Sequence, residues 1–329
     1  MNDLPINTPN PVIWALLDDR AGNRSQCLGV ATILNLPFEA RELEYTSLSA
    51  LPNFLKGASF TGLSEMSKDS LTPPWPDIII AAGRRTASVG RAIKRKSNNR
   101  TRLVQIMYPG DSGLSEFDLV CVPRHDKPHV GRNLVSIPGA PHGLTQPVFD
   151  NAADQWHDKF NELATPRIAV IVGGSTRRKE FTETMGRELG KLVNKMAMDA
   201  GGSLLITTSR RSGPAGEAML SEITVTHYAF RWGDQGDNPY LGYLALADAI
   251  VVTGDSVSMC SEACATKAPV YIYAPDGFVI DKHARLHRYL YDAGYARPLE
   301  GVLEDWTHPP LNAAEIIADT IRERIQGWF

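Results

Sequence analysis

Residues 247–263 read ADAIVVTGDSVSMCSEA. The run from Ala249 to Thr253 is short and rich in β-branched residues, the signature of a parallel strand buried on both faces. At Gly254 it breaks into small polar residues, and Met259, Ala263 and Ala265 begin a helical segment. A strand that ends in Gly254-Asp255-Ser256 and passes into a helix presents backbone N–H groups at its carboxyl end. The helix dipole favours an anion at the same place. Gly254, Asp255, Ser256 and Ser258 are therefore candidate ligands of a phosphate or diphosphate. Glu262, about two turns into the helix, can accept hydrogen bonds from a ribose or sugar hydroxyl pair. A plainer use stays open beside this one, with Ser256 as helix cap and Glu262 on a solvated face.

A chain of 329 residues exceeds one ordinary core and implies two domains. Its hydrophobic content of 43% and charged content of 22% describe a soluble globular protein rather than a disordered one. The net charge of −3 lacks the basic excess of a nucleic-acid binder, so no nucleic-acid partner is expected. One stretch, residues 84–102, is strongly basic. It reads as a solvated helix face or as a peripheral contact with an anionic membrane surface. Cys27, Cys121, Cys260 and Cys264 form no Cys-x-x-Cys pair, which speaks against zinc and structural disulfides and for a reducing cytoplasm. Residues 1–11 are polar and unlike a secretory signal, and no apolar run approaches the ~20 residues of a membrane span. The expected location is cytoplasmic, with the inner membrane face as the site of any peripheral contact.

Working outward, residues 11–17 read as a first buried strand, followed by a polar turn at 18–23 and a helix over 25–36. A second strand is expected at 42–45, and a long irregular stretch with at most a short helix over 46–76. Residues 77–82 form a clear strand, with the basic helix after it, and 103–107, 119–122 and 134–137 give three more strands. The second half repeats the pattern. A helix at 152–163 leads into strands at 167–172, 203–208 and 225–230, with helices at 181–198, 214–222 and 240–246. The opening stretch follows, then a strand at 270–274 and helices at 282–293 and 311–325. Strands alternating with helices at this spacing imply parallel sheets covered on both faces. The fold class is α/β, with two Rossmann-like doubly wound domains, residues 1–145 and 146–329, facing a cleft; the terminal helix has the option of packing back on the first.

In such sheets ligands bind beyond the carboxyl ends of the strands. Gly173, Gly174, Ser175 and Thr176 let a backbone approach an anion closely. Ser209, Arg210 and Arg211 follow the next strand, and the arginines can neutralise it. Neither a full dinucleotide fingerprint nor a P-loop is present, which weighs against nicotinamide cofactors and ATP hydrolysis. In the first half, Asp18, Asp19, Arg20, Asn23 and Gln26 crowd the first strand end, with Gly22 in the same turn, and Arg84 follows the third. Asp19 is a candidate general base on an acceptor hydroxyl, or else part of a salt-bridged turn. His125 and His142 are further candidate bases, or structural histidines. Three clustered metal-type ligands are lacking, so no catalytic metal is expected.

The 247–269 segment, with Gly254, Ser261-Glu262 and Pro269, resembles the donor-binding segment of GT-B glycosyltransferases of the MurG kind, and Gly173-Gly174-Ser175 resembles their second-domain glycine loop. A closer resemblance spans nearly the whole chain. It is carried by Asp19-Arg20 with Gly22, Asn23 and Gln26; by Gly83-Arg84-Arg85; and by Gln105-Ile106 with Pro109. It continues through Phe117-Asp118-Leu119-Val120, Pro123-Arg124-His125-Asp126, Gly139-Ala140-Pro141-His142 and Gly173-Gly174-Ser175. Thr208-Ser209-Arg210-Arg211 and Thr253-Gly254-Asp255-Ser256-Val257-Ser258-Met259 with Ser261-Glu262-Ala263 complete it. On these residues the chain is similar to the mitochondrial-fission ELM family. The resemblance implies a metal-independent GT-B glycosyltransferase with no cofactor beyond a nucleotide-diphosphate sugar as co-substrate, and a glycan or lipid-linked acceptor. A sugar-nucleotide epimerase and a non-catalytic scaffold are the competing readings.

Overall fold

The computed structural model describes residues 10–126 and 131–328; the reading of residues 1–11 as a non-signal stretch lies outside it except for Asn10 and Pro11. The chain divides into two compact units, one running up to Gly143 and resuming at Ala313, the other Leu144–Asn312.

The first unit holds β1 (Ile13–Asp18), α1 (Ala21–Leu34), β2 (Phe38–Leu43), α2 (Asn53–Lys56), α3 (Glu65–Asp69), β3 (Ile78–Ala82) and α4 (Arg84–Lys96). β4 (Arg102–Ile106), β5 (Leu119–Pro123) and β6 (Leu134–Ile137) complete a parallel sheet of order β2-β1-β3-β4-β5-β6. β3 reads IIIAA and is buried throughout, because helices cover both faces. Ile13, Ala15, Leu17, Ile78 and Ile80 pack under α1 on one face, and Trp14, Leu16, Ile79 and Ala81 under α4 on the other. Each leucine and isoleucine among them contributes roughly 1.5–3 kcal/mol by leaving water.

The second unit holds α5 (Gln146–Phe160), β7 (Arg167–Val172), α6 (Glu183–Asp199), β8 (Ser203–Thr208), α7 (Gly213–Leu220), β9 (His227–Phe230) and α8 (Tyr240–Leu246). β10 (Ala249–Thr253), α9 (Val257–Ala263), β11 (Val270–Tyr273), α10 (Asp281–Asp292) and β12 (Arg297–Pro298) follow, giving a parallel sheet of order β12-β11-β10-β7-β8-β9. The last helix, α11 (Ala313–Trp328), belongs to the first unit: Ala313, Ala314, Ile317, Ala318 and Ile321 join the core beneath α1.

Several expectations need correction. β2 lies at Phe38–Leu43 rather than 42–45; Glu39, Arg41 and Glu42 mask it, because an edge strand keeps one face wet. α5 begins at Gln146, with a proline in its first turn, well before 152. The 46–76 stretch carries α2, α3 and a 3-10 turn at Ser47–Ala50. The two-residue β12 had no sequence signal. Most consequential, the basic stretch is a solvated face only in part: Arg84, Arg95, Lys96 and Arg100 are exposed, the others are not. Arg85, Arg91 and Lys94 are buried. Arg91 pairs with Glu116 at 2.6 Å, Lys94 with Asp118 at 2.5 Å, Arg95 with Glu116 at 2.8 Å and Arg102 with Asp118 at 3.2 Å. Cations enter an interior only when paired, and the buried Arg85, Arg91 and Lys94 are.

Candidate functional site

Each sheet has one place where the strand order reverses: between β7 and β10 in the second unit and between β1 and β3 in the first. Loops leaving adjacent strands part there, opening a crevice at the carboxyl ends.

At the second unit's reversal, Asp255 follows β10 with its side chain fully buried. Its Oδ2 accepts from the Gly174 N–H at 3.0 Å and pairs with the Arg211 Nη1 at 2.5 Å. Its Oδ1 has no partner among the described residues. The carboxylate lies directly over Gly173, where any Cβ would strike it. The Gly173 N–H donates to Thr253 Oγ1 at 2.7 Å, the Ser175 N–H to the Arg211 carbonyl at 3.0 Å, and the Thr176 N–H to the Lys179 carbonyl at 2.8 Å. The glycine loop is thus a closed turn whose four N–H groups are already used, not an open anion nest. Gly174 is indispensable to it: φ is +145° and a Cβ would meet the Arg211 carbonyl. Ser209 and Ser212 both donate to the Gly173 carbonyl at 2.6 Å, which ties the β8–α7 loop to the β7–α6 loop. Arg211 Nη1 also donates to the Gly174 carbonyl at 3.1 Å, while its side chain is still 34% exposed. Arg210 is exposed beside it.

Ser256 accepts from the Met259 N–H at 3.3 Å and is the N-cap of α9, as the plainer use of the stretch had it. Ser258 is half-buried in the first turn of that helix. Glu262 is not on a solvated face. It accepts from the Tyr240 hydroxyl at 2.5 Å, and burial raises its pKa above the usual carboxylate range while that hydrogen bond pulls the other way. Two histidines that sequence reasoning missed stand on α10. His287 packs against Gly254, where a Cβ would come within 2.5 Å of its ring, and burial lowers its pKa to about 4. His283, one turn earlier on the same face, is lowered by burial, with Asp255 opposing that shift and Lys282 and Arg211 reinforcing it. Their four-residue spacing was the available signal.

At the first unit's reversal, Asp18 is buried at the end of β1. It accepts from the Arg20 N–H at 3.0 Å, from Asn23 Nδ2 at 2.9 Å and from the Arg85 guanidinium, which also holds Asp19 and lies over the Tyr45 ring at 4.3 Å. Burial pushes the Asp18 pKa up, but the Arg20, Asn23 and Arg85 hydrogen bonds outweigh it and the pKa is lowered overall. Asn23 fits here because Gly83 lacks a Cβ that would strike it. Asp19 and Arg20 are exposed. Gly22 is exposed with open space around it, so nothing steric demands a glycine. Gln26 is buried within α1 and its Oε1 has no partner among the described residues. Arg84 is exposed and donates to the Leu51 carbonyl at 3.4 Å. His125 and His142 are both buried; His125 follows β5, and the backbone of His142 packs against Gly29 of α1. Among the described residues no group of three or more His, Cys, Asp or Glu is placed to hold a metal ion.

The profile of the mitochondrial fission ELM1 family matches residues 21–325. The mitochondrial fission protein ELM1 of Arabidopsis thaliana is 31% identical over 300 residues, covering 82% of this chain and 69% of that protein. The chain belongs to the mitochondrial fission ELM1 family. Among solved structures, MurG of Acinetobacter baumannii superposes with a TM-score of 0.52 at 14% identity, covering 96% of this chain and 100% of MurG. The UDP-GlcNAc 2-epimerase of Methanocaldococcus jannaschii gives 0.55 at 10% identity, covering 95% and 99%. The shared fold is the GT-B arrangement of two parallel α/β sheets.

Proposed function

We propose that the chain transfers a sugar from a nucleotide-diphosphate sugar to a glycan or lipid-linked acceptor. The observation that carries this reading is an unfilled acceptor beside a part-exposed cation at one sheet end. Asp255 Oδ1 lacks a donor among the described residues, its other oxygen pairs with Arg211, and Arg210, next in the chain, is exposed. A ligand that is both polyhydroxylated and anionic meets both needs. Arg210 and Arg211 would offset charge on the departing diphosphate without a metal, a stabilisation that grows as the bond breaks. Ser256 and Ser258 would hold the same group from the start of α9, and Glu262 the ribose. Because the 173–176 N–H groups are internally bonded, that loop would serve by placing Asp255 and Arg211 rather than by wrapping the phosphates.

On the acceptor side, Asp19 is the exposed carboxylate at the first unit's reversal and is assigned as general base. The burial of His125 and His142 disfavours them for that role. Arg20, Asn23 and Arg84 would border the acceptor. A cytoplasmic location is part of the proposal; no helix among the described residues is long and apolar enough to cross a membrane. The internal pairing of Arg85, Arg91, Lys94 and Arg102 speaks against a membrane contact through 84–102.

An epimerase would use the same unit, since the GT-B fold serves both chemistries. A thermal-shift screen against uridine, guanosine, cytidine and adenosine diphosphates and their sugars tests the reading. A ligand at ~100 times its Kd stabilises the fold by roughly 2.7 kcal/mol. Stabilisation of the wild type, lost in Arg211→Ala and Glu262→Ala, is the expected result. Silence from every nucleotide, with or without divalent metal, would leave the scaffold reading in its place. Epimerised donor with no acceptor present would favour the epimerase.

A further inference from the structure

Glu262 is held in a way that stability alone does not favour. It is half-buried and is the penultimate residue of α9, at the end where the helix dipole is negative. Its carboxyl accepts one hydrogen bond among the described residues, from the Tyr240 hydroxyl to Oε2, and no cation there pairs with it. Burial disfavours its ionised form, and that single hydrogen bond is what opposes the burial. A carboxylate so placed keeps most of its roughly four lone-pair sites for donors from outside the chain.

The tyrosine is seated as firmly as the carboxylate is open. Tyr240 is the first residue of α8, and its N–H donates to Asn238 Oδ1 at 3.0 Å. Gly242 lets α8 lie close against α5, where a Cβ would come within 2.5 Å of the Trp156 ring. Tyr243 on the same helix is fully buried between Phe160 and Tyr228, and the Tyr240 ring packs on that core. Burial and the Glu262 carboxylate push the Tyr240 hydroxyl well above its usual pKa, so it stays a donor.

We propose that Tyr240 is the positioning residue of Glu262: by holding Oε2 it aims Oε1 and the remaining lone pair of Oε2 at the two vicinal hydroxyls of a ribose. The pair, rather than Glu262 alone, then tells a ribonucleotide from a deoxyribonucleotide. This inference rests on the nucleotide-sugar reading and adds to it the residue that sets the selectivity. A glutamate free to rotate loses rotamer freedom when it binds, whereas one already held has less to lose. A ligand short of one hydroxyl leaves a half-buried acceptor unmet, which is how such sites reject it.

Calorimetric titration of the full chain with uridine, guanosine, cytidine and adenosine diphosphates, each beside its 2′-deoxy and 3′-deoxy forms, tests it. The wild type should bind one ribonucleotide at least ~10-fold more tightly than either deoxy form, since both hydroxyls are read. Tyr240→Phe keeps the ring and removes only the hydroxyl. It should weaken the ribonucleotide by about 10-fold and the deoxy forms by no more than about 2-fold, so that the preference collapses, as it should in Glu262→Ala. A chain that binds none of the nucleotides removes the nucleotide-sugar reading and this inference with it. Three results overturn this inference and leave that reading standing: a preference that Glu262→Ala abolishes and Tyr240→Phe preserves, equal weakening of ribo and deoxy forms by Tyr240→Phe, or a wild type indifferent to one of the two hydroxyls.

Discussion

Both sheets set a buried aspartate against an arginine at the reversal of strand order, and the two pairs differ in what is left over. Asp18 in the first unit is saturated by the Arg20 N–H, Asn23 and a guanidinium that is itself buried. Asp255 in the second unit spends one oxygen on Gly174 and Arg211 and keeps the other without a donor, and its arginine is one-third exposed. A buried ion pair with every lone pair satisfied is a structural rivet, whereas an incomplete one has a defined need that a ligand can meet. The same fold thus carries one closed and one unfinished junction.

The strongest test of that distinction is a matched pair of substitutions followed by denaturant unfolding. Asp18→Asn leaves buried Arg85 with the exposed Asp19 as its remaining carboxylate partner and should destabilise by about 3 kcal/mol, the low end for a broken buried pair. Asp255→Asn keeps an acceptor for Gly174 and faces an arginine that water can reach, so about 1–2 kcal/mol is expected. Equal losses would erase the comparison.

Acid separates the junctions next. His287, behind Gly254, is neutral when folded because burial lowers its pKa from 6.5 to about 4. The unfolded chain takes up that proton first, so this contribution is intact above pH 6.5 and declines down to about 4, by ~3 kcal/mol at most. Asp18 has the opposite habit: its pKa is depressed, so its contribution holds above the ordinary carboxylate value and is lost only as pH falls through the lowered one. Melting curves between pH 7 and 4 should therefore show an early loss that His287→Gln reduces. A wild-type curve flat over that interval would refute the assignment.

The smallest effect concerns the helix beside Asp255. Ser256→Ala removes the cap of α9 and should cost ~1 kcal/mol. If Ser256 also holds a diphosphate, the variant should lose nucleotide-induced stabilisation beyond that amount; if it does not, the serine is a cap alone.

The sheets were legible because doubly covered strands write themselves as unbroken β-branched runs, as at Ile78–Ala82 and Ala249–Thr253. Edge strands were harder, since β2 hides its register behind Glu39 and Arg41. The sites were legible as doublets and not as single residues. Sequence reasoning saw both members of each doublet and chose Asp19 and Arg84 as site residues, while Asp18 and Arg85 form the buried pair. Composition cannot separate adjacent identical residues; the strand's last pleat and the helix's first turn decide which one faces inward. Tyr240, Thr253 and Ser212 gain their meaning from register between distant strands and helices, which no local pattern records, and the spacing of His283 and His287 marks a shared helix face without saying what it meets. The glycine loop read as an anion cradle because glycine signals freedom of backbone, and here that freedom serves a close approach to Arg211 instead.

The return of α11 to the first unit bears on the order in which the protein can be made. Ile317 and Ile321 fill the floor beneath α1, Arg322 donates to the Ile33 carbonyl at 2.5 Å, and Arg324 to that of Asp118 at 2.7 Å. Those residues leave the ribosome after the whole of 144–312 has been synthesised. Domains usually mature in the order they are translated. In this chain the unit begun first is finished last, its hydrophobic floor open throughout elongation, while the unit begun second holds its full sequence sooner.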